Sequence, residues 1–282
     1  MSLPPGPFRR RAAPPALAGG PLLIAHRGGA GLAPENTLAA FRSAEHDWAA
    51  DMIELDVRAS LDGECIVIHD ATLDRTTSGS GAVTDLPLDQ IQGFDAGYRF
   101  TPDGGASFPL RGRGVRVPTF DEVLAALPRM RFTVELKSGD AQPGLAAAIE
   151  RHGAHERVII AGMHDADRIR FHDYAGTLSA SGRQLSRFYL AHRCYAAALA
   201  PLRAQVVQMC ETWRGRRLLT PRLVRDLARR GVPVHVWTVN DEADMHRLLD
   251  WGVDGLLTDY PDRLARVLHE RVGRPLPPAL RA

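Results

Sequence analysis

Residues 52–70, MIELDVRASLDGECIVIHD, decide how the chain is read. The run opens as an apolar strand, yet two carboxylates, Glu54 and Asp56, sit inside it. Strand side chains alternate, so both project to one face, where an unpaired buried carboxylate would cost several kcal/mol. Asp62-Gly63 is a turn pair of the kind that closes two-residue hairpins. It predicts that CIVIHD (65–70) folds back antiparallel, with Asp56 facing His69 across the pair. A parallel crossover is excluded, because it needs a dozen or more residues. Two carboxylates and an imidazole collected in one place make a site rather than a core.

Outward from this stretch, short apolar runs alternate with helical patterns, the signature of βαβ units and a parallel sheet. The strand candidates are 22–25, 52–57, 131–136, 157–161, 177–181, 205–209, 233–239 and 254–258, eight in all. Helical segments between them open on Asn or Thr (NTLAAF, TFDEVL, TPRLV, NDEADM) and two of them close on Gly231 and Gly252, which predicts N-caps and C-caps. That count in a chain of 282 residues is expected to give an α/β fold of the (β/α)8 TIM-barrel type. An open doubly wound sheet is the competing architecture, and no G-x-G-x-x-G follows the first strand to support its dinucleotide-binding form.

The composition, 45% hydrophobic and 24% charged, is that of an ordinary globular chain, and the net charge of +2 excludes a nucleic-acid-binding field. Arg9, Arg10 and Arg11 read as part of a solvated arm over residues 1–20, in which prolines and arginines break any signal-peptide core. No run approaches the ~20 apolar residues of a membrane span, so no stable membrane insertion is expected. Cys65, Cys194 and Cys210 lack metal or redox spacing and point to a reducing, cytoplasmic setting.

Barrel active sites lie at the C-terminal ends of the strands. There the first strand is followed by AHRGGAGLAPENT, with His26, Arg27, Glu35 and Asn36, and the third parallel strand ends VELK, with Glu135 and Lys137. Glu54, Asp56 and Glu135 arriving together suit one hard divalent cation, Mg2+ or Ca2+, whose shell is built from oxygen. Such a cation would compensate the two carboxylates of the strand. Trp237 reads either as core or as a wall of the pocket. Asp259 reads as a cap or as a residue behind the site.

HRG, PENT, ELDV, the HD of IVIHD, TLDRTTSGSGAVTDLPLDQI, VPTFDEVL, VELK, VHVWTVN and GVDGLLTDYPD, in this order, resemble the glycerophosphodiester phosphodiesterase family over roughly 22–265. The resemblance implies a TIM barrel over 21–270, an insertion at about 71–117 after the hairpin, and a short tail at 271–282. It implies one divalent metal on Glu54, Asp56 and Glu135, with His26 and His69 as the acid/base pair. Arg27 and Lys137 would touch phosphate, with Glu35 or Asn36 close by. The implied partner is a small-molecule phosphodiester, cut to glycerol 3-phosphate and an alcohol.

That assignment agrees with the chemistry. Splitting a phosphodiester needs a deprotonated nucleophile and a protonated leaving group, and histidine titrates in the right range for both. Which histidine is acid and which is base is open in the sequence, as is the choice between water and a substrate hydroxyl that closes a cyclic phosphate. The chain departs from the family at Gly162-Met163, where Ser-Phe is expected, and at Ala25, where Gly is usual. A lysophospholipase D-like activity and a non-catalytic barrel that binds phosphorylated ligands are the two alternatives.

Overall fold

Along the central strands, alternate side chains enter two different apolar layers. In the first strand Leu23 and Ala25 join the layer beneath the helices, whereas Leu22 and Ile24 turn into the sheet's concave side. The structure, a computed structural model, describes residues 14–281. Its strands are β1 (Leu22–His26), β2 (Met52–Ala59), β3 (Cys65–Val67), β4 (Arg131–Leu136), β5 (Val158–Ala161), β6 (Thr177–Leu178), β7 (Val207–Cys210), β8 (Thr212–Trp213), β9 (Arg216–Arg217), β10 (Val234–Trp237) and β11 (Gly255–Thr258). The helices are α1 (Leu38–His46), α2 (Leu88–Gly93), α3 (Phe120–Ala126), α4 (Gln142–Arg151), α5 (Gly182–Arg193), α6 (Pro221–Arg229), α7 (Glu242–Asp250) and α8 (Pro261–Val272).

The main sheet runs β6-β5-β4-β2-β1-β11-β10-β7, and every neighbouring pair along it is parallel. It curls until its ends meet. The Gln205 amide donates to the Leu178 carbonyl at 3.0 Å, and the Ala180 amide to the Val206 carbonyl at 2.9 Å. The result is a TIM-barrel-like, eight-strand parallel sheet. Thr37, Thr119, Thr220 and Asp241 cap α1, α3, α6 and α7 with their side chains, and Thr119 forms a reciprocal capping box with Glu122. No helix among the described residues is long and apolar enough to cross a membrane.

The N-terminal end of the barrel interior is filled by Leu22, Ile24, Met52, Ile159, Val206 and Leu257, and Ala16 and Leu17 cover it from below. Residues 14–20 therefore depart from the loose arm expected over 1–20, because their two apolar side chains complete this inner core. The Arg131 guanidinium also donates to the Ala18 carbonyl at 2.6 Å. The rest of that arm, with Arg9, Arg10 and Arg11, lies outside the described residues. At the other end α8 continues to Val272, past the boundary expected at 270. The tail beyond is held by ion pairing of Arg274 with Asp51 and by the Ala279 amide on the Asp47 carbonyl, at 3.2 Å.

The hairpin forms, with a register one residue from the expectation. Val57 pairs with Val67, Arg58 with Ile66 and Ala59 with Cys65, and the Ile68 amide donates to the Asp56 carbonyl at 3.0 Å. Asp56 thus lies opposite Ile68, not His69. The cause is a three-residue loop, Leu61, Asp62 and Gly63, closed by the Ser60 amide on the Glu64 carbonyl at 3.1 Å, with Gly63 at φ +82°. The Asp62 carboxylate accepts from the Ser60 hydroxyl and the Leu88 amide, which holds it mid-loop. His69 reaches the site by another route, since β3 stops at Val67 and the chain turns. Beyond it, Leu73, Val83, Ile91, Ala96 and Val117 pack with Ile66 and Ile68 into a separate apolar cluster. The small β8–β9 hairpin carries no strand signal that the sequence reading detected.

Candidate active site

Parallel register assembles the site. Pairing of β1 with β2 sets His26 beside Glu54, and pairing of β2 with β4 sets Asp56 beside Glu135. Stepping two residues along each strand leads from the inner core to the mouth: Ile24 to His26, Met52 to Glu54 and Asp56, Thr133 to Glu135 and Lys137. Each of Glu54, Asp56 and Glu135 offers an oxygen, and these oxygens all lie within 4.8 Å of one another.

The two buried carboxylates are treated differently. Asp56, 1% exposed, faces the Lys137 ammonium at 3.0 Å and Arg27 Nε at 3.2 Å, and it accepts from Asn36 Nδ2 at 3.0 Å. Burial raises its pKa, but Lys137, Arg27 and His69 outweigh that and hold it below the ordinary value. Among the described residues Glu54, 4% exposed, accepts only from the Arg27 backbone amide, at 3.1 Å, and lies 3.9 Å from His26 Nε2. Burial and then the Asp56 charge push its pKa up to about 8. Lys137 also reaches Glu135 at 3.1 Å. Three hard oxygen donors with one of them short of positive charge fit a divalent cation on Glu54, Asp56 and Glu135.

The loop after β1 takes unusual backbone conformations to build this. Arg27 and Asn36 have φ of +51° and +58°, which costs non-glycine residues of order 1 kcal/mol or more each. The Arg27 turn directs its amide at Glu54 while its side chain runs to Asp56. Gly28, at φ +86°, has no room for a Cβ, which would stand 2.7 Å from Phe41 and 2.8 Å from Ala40.

Each histidine has a carboxylate behind it. His26 Nδ1 is 2.6 Å from Asp259 Oδ1, and the other Asp259 oxygen accepts from Asn240 Nδ2 at 2.7 Å. The Asn240 side-chain carbonyl oxygen accepts from the Asp259 amide at 2.9 Å and the Thr258 hydroxyl at 3.1 Å. Burial opposes a charged His26, but the Asp259 bond and the Glu54 charge outweigh it and raise its pKa. His69 Nδ1 is 2.6 Å from Asp70 Oδ1, and Asp70 is held by Arg75 Nε at 2.6 Å.

His26, Arg27, Glu54, Asp56, His69, Glu135, Lys137 and Trp237 line one cavity of about 760 Å³. Glu35 and Asn36 stand behind it. Glu35 is gripped by Arg27 at 2.8 Å and by both terminal nitrogens of Arg75 at 2.7 and 2.8 Å. Asn36 is buried against Asp56. The sequence reading passed over Asn240, Asp70 and Arg75, although VHVWTVN, the HD pair and TLDRTTSG all contain them. Their signal was an Asn, an Asp and an Arg next to strand ends, types that caps and loops also use.

The chain matches the model of the glycerophosphoryl diester phosphodiesterase family over residues 26–263. It is 36% identical over 261 residues to a glycerophosphodiester phosphodiesterase of Bacillus subtilis (strain 168), covering 87% of this chain and 86% of that protein. It is equally 36% identical to a namesake from Caldanaerobacter subterraneus subsp. tengcongensis, covering 88% of this chain and 98% of that protein. In fold it resembles an Oleispira antarctica phosphodiesterase solved in complex with the product sn-glycerol-3-phosphate, with a TM-score of 0.70 and 22% identity over 88% of this chain and 97% of the other.

Proposed function

The chain belongs to the glycerophosphoryl diester phosphodiesterase family, and from that premise we propose that it hydrolyses glycerophosphodiesters to sn-glycerol 3-phosphate and an alcohol, using one divalent cation and two histidines. The observation that carries this reading is the meeting of Glu54, Asp56 and Glu135 in one cavity with His26 and His69. A bound Mg2+ or Ca2+ would supply positive charge to the phosphoryl oxygens. Arg27 and Lys137 add fixed charge from the protein, typically a large catalytic term.

Hydrolysis forms one P–O bond to the nucleophile and breaks the P–O bond to the alcohol. One histidine accepts the nucleophile's proton, and the other donates a proton to the departing alkoxide. With Nδ1 tied to Asp259 and to Asp70 respectively, His26 and His69 each keep Nε2 for this exchange. The nucleophile is either water or a glycerol hydroxyl that first closes a cyclic phosphate; cyclic glycerophosphate trapped early in the reaction would identify the second route. Trp237 walls the cavity for the non-phosphate part of the substrate, and Glu35 and Asn36 hold Arg27 and Asp56 in place. We read 71–117 as an insertion that supports the His69 side, tied to it through Arg75. A cytoplasmic setting goes with this reading and is supported by three free cysteines.

Release of choline, ethanolamine or glycerol from a panel of glycerophosphodiesters, run with Mg2+, Ca2+ or chelator, tests the proposal. Metal-dependent release that is lost in His69→Ala and Glu135→Ala is expected. Full activity under chelation would remove the cation from the mechanism, and wild-type rates in His69→Ala would remove that histidine.

A further inference from the structure

We propose that the outer face of α5, the loop at 195–199 and α6 together dock on an anionic lipid bilayer, peripherally and with no helix inserted. Residues 182–230 carry eleven arginines and no lysine against two carboxylates, Glu211 and Asp226, while the remainder of the chain holds 24 basic and 31 acidic side chains. The near-neutral total thus hides one strongly basic side. On α5, Leu190 stands exposed between Arg187 and Arg193, each three residues away and therefore its neighbour on the helix surface. Tyr195 and Leu199 follow, both 85% exposed. Large apolar side chains grouped on a surface and rimmed by polar ones mark an interaction site.

The charge on this side is largely uncompensated. Arg222 and Arg229 share one carboxylate, Asp226, at 3.8 and 3.1 Å, and Asp226 is already on His192 Nδ1 at 2.7 Å. Arg187, Arg193, Arg203 and Arg225 have no carboxylate within 4.0 Å among the described residues. Tyr195, Arg222, Arg225, Arg229 and Arg230 line an open cavity of about 840 Å³, room enough for a phosphate headgroup. The arginines and the apolar loop form one surface, since the Arg222 guanidinium lies 3.8 Å from the Tyr195 ring centre and Arg230 donates to the Ala197 and Ala200 carbonyls at 2.8 and 2.7 Å. A soluble polyanion would use the arginines but has no need of Leu190 and Leu199. A bilayer takes both, because leaflet charge attracts the guanidinium groups and the interfacial zone accepts Tyr and Leu side chains. α5 starts at the active-site cavity, where Gly182 lines the wall, and Arg193 lies roughly 16 Å further along the helix. Docking at that end leaves the mouth open to dissolved substrates.

The test is cosedimentation of the full chain with sucrose-loaded vesicles, phosphatidylcholine alone against phosphatidylcholine with about 30% phosphatidylglycerol, at low and at raised NaCl, with heparin binding measured alongside. The chain should bind the anionic vesicles only, and salt should release it. One arginine near a charged leaflet is worth about fivefold, so Arg187→Gln, Arg193→Gln and Arg225→Gln together should weaken binding about a hundredfold at an unchanged melting temperature. Leu199→Ser should weaken vesicle binding about tenfold and leave heparin binding as it was. Equal binding to the two vesicle types, or none to either, would overturn the proposal. Wild-type binding by the triple variant would overturn it too, by putting the contact elsewhere on the chain. If the triple variant lost vesicles and heparin alike while Leu199→Ser changed neither, the surface would be a site for soluble polyanions instead.

Discussion

Two imidazoles inside the same barrel have opposite fates. His26, at the mouth, is backed by Asp259 and faces Glu54, and its pKa is raised. His235, in β10 below it, is 1% exposed, with Gln208 at 3.5 Å and an Nε2 that has no partner among the described residues. Burial first and the Arg131 charge second drive its pKa down to about 3. The contrast shows where this protein invests charge. Carboxylates crowd the C-terminal layer beyond what packing needs, and the layer beneath is kept apolar or neutral. The floor supplies stability, and the mouth draws on it.

Four changes separate the two layers. The largest effect is expected at Glu54: Glu54→Gln should lower kcat/KM about a thousandfold, ~4 kcal/mol of transition-state stabilisation, in a metal-supplemented assay. Its melting temperature should hold or rise, because like charges are relieved; a fall of several degrees would mean that the cluster is structural. Next, Ile24→Ala in the floor should cost about 3 kcal/mol in urea denaturation while activity per folded molecule changes little. Loss of activity without loss of stability would erase the division between layers.

Third is the pH dependence of stability. His235 stays neutral in the folded protein, so its contribution is intact above the ordinary value of 6.5 and is lost as pH falls towards about 3, because the unfolded chain takes up a proton the folded one refuses. The loss should reach roughly 2 kcal/mol by pH 5, and His235→Gln should flatten the slope in urea melts at pH 7, 6 and 5. An unchanged slope would place the acid sensitivity elsewhere. The smallest effect is at Asn240→Ala, which frees Asp259 behind His26. A tenfold drop in kcat, ~1.4 kcal/mol, with KM nearly constant is expected; a change confined to KM would tie Asn240 to substrate binding instead.

Much of this contrast was legible before any coordinates. Glu54 and Asp56 two apart, and Glu135 and Lys137 two apart, reveal a polar face on otherwise apolar strands, and period-2 alternation carries that face to the mouth. What escaped was local competition among similar residues. Asn36 and Asn240 each precede a helix and read as caps, yet Thr37 and Asp241 do the capping, and the two asparagines turn to Asp56 and Asp259. Asp62-Gly63 signals a tight turn equally well with or without Leu61 in the loop, so hairpin register depended on a hydrogen bond from Ser60 that sequence spacing does not encode. The role of Ala16 and Leu17 was hidden by the prolines and arginines around them.

The packed floor of Leu22, Ile24, Met52, Ile159, Val206 and Leu257, covered by Ala16 and Leu17, makes the cavity a blind-ended well. Whatever enters must leave by the way it came, and two products cannot exit through opposite doors. The alcohol and the phosphate ester share a single passage, so whichever lies nearer the opening gates the departure of the other.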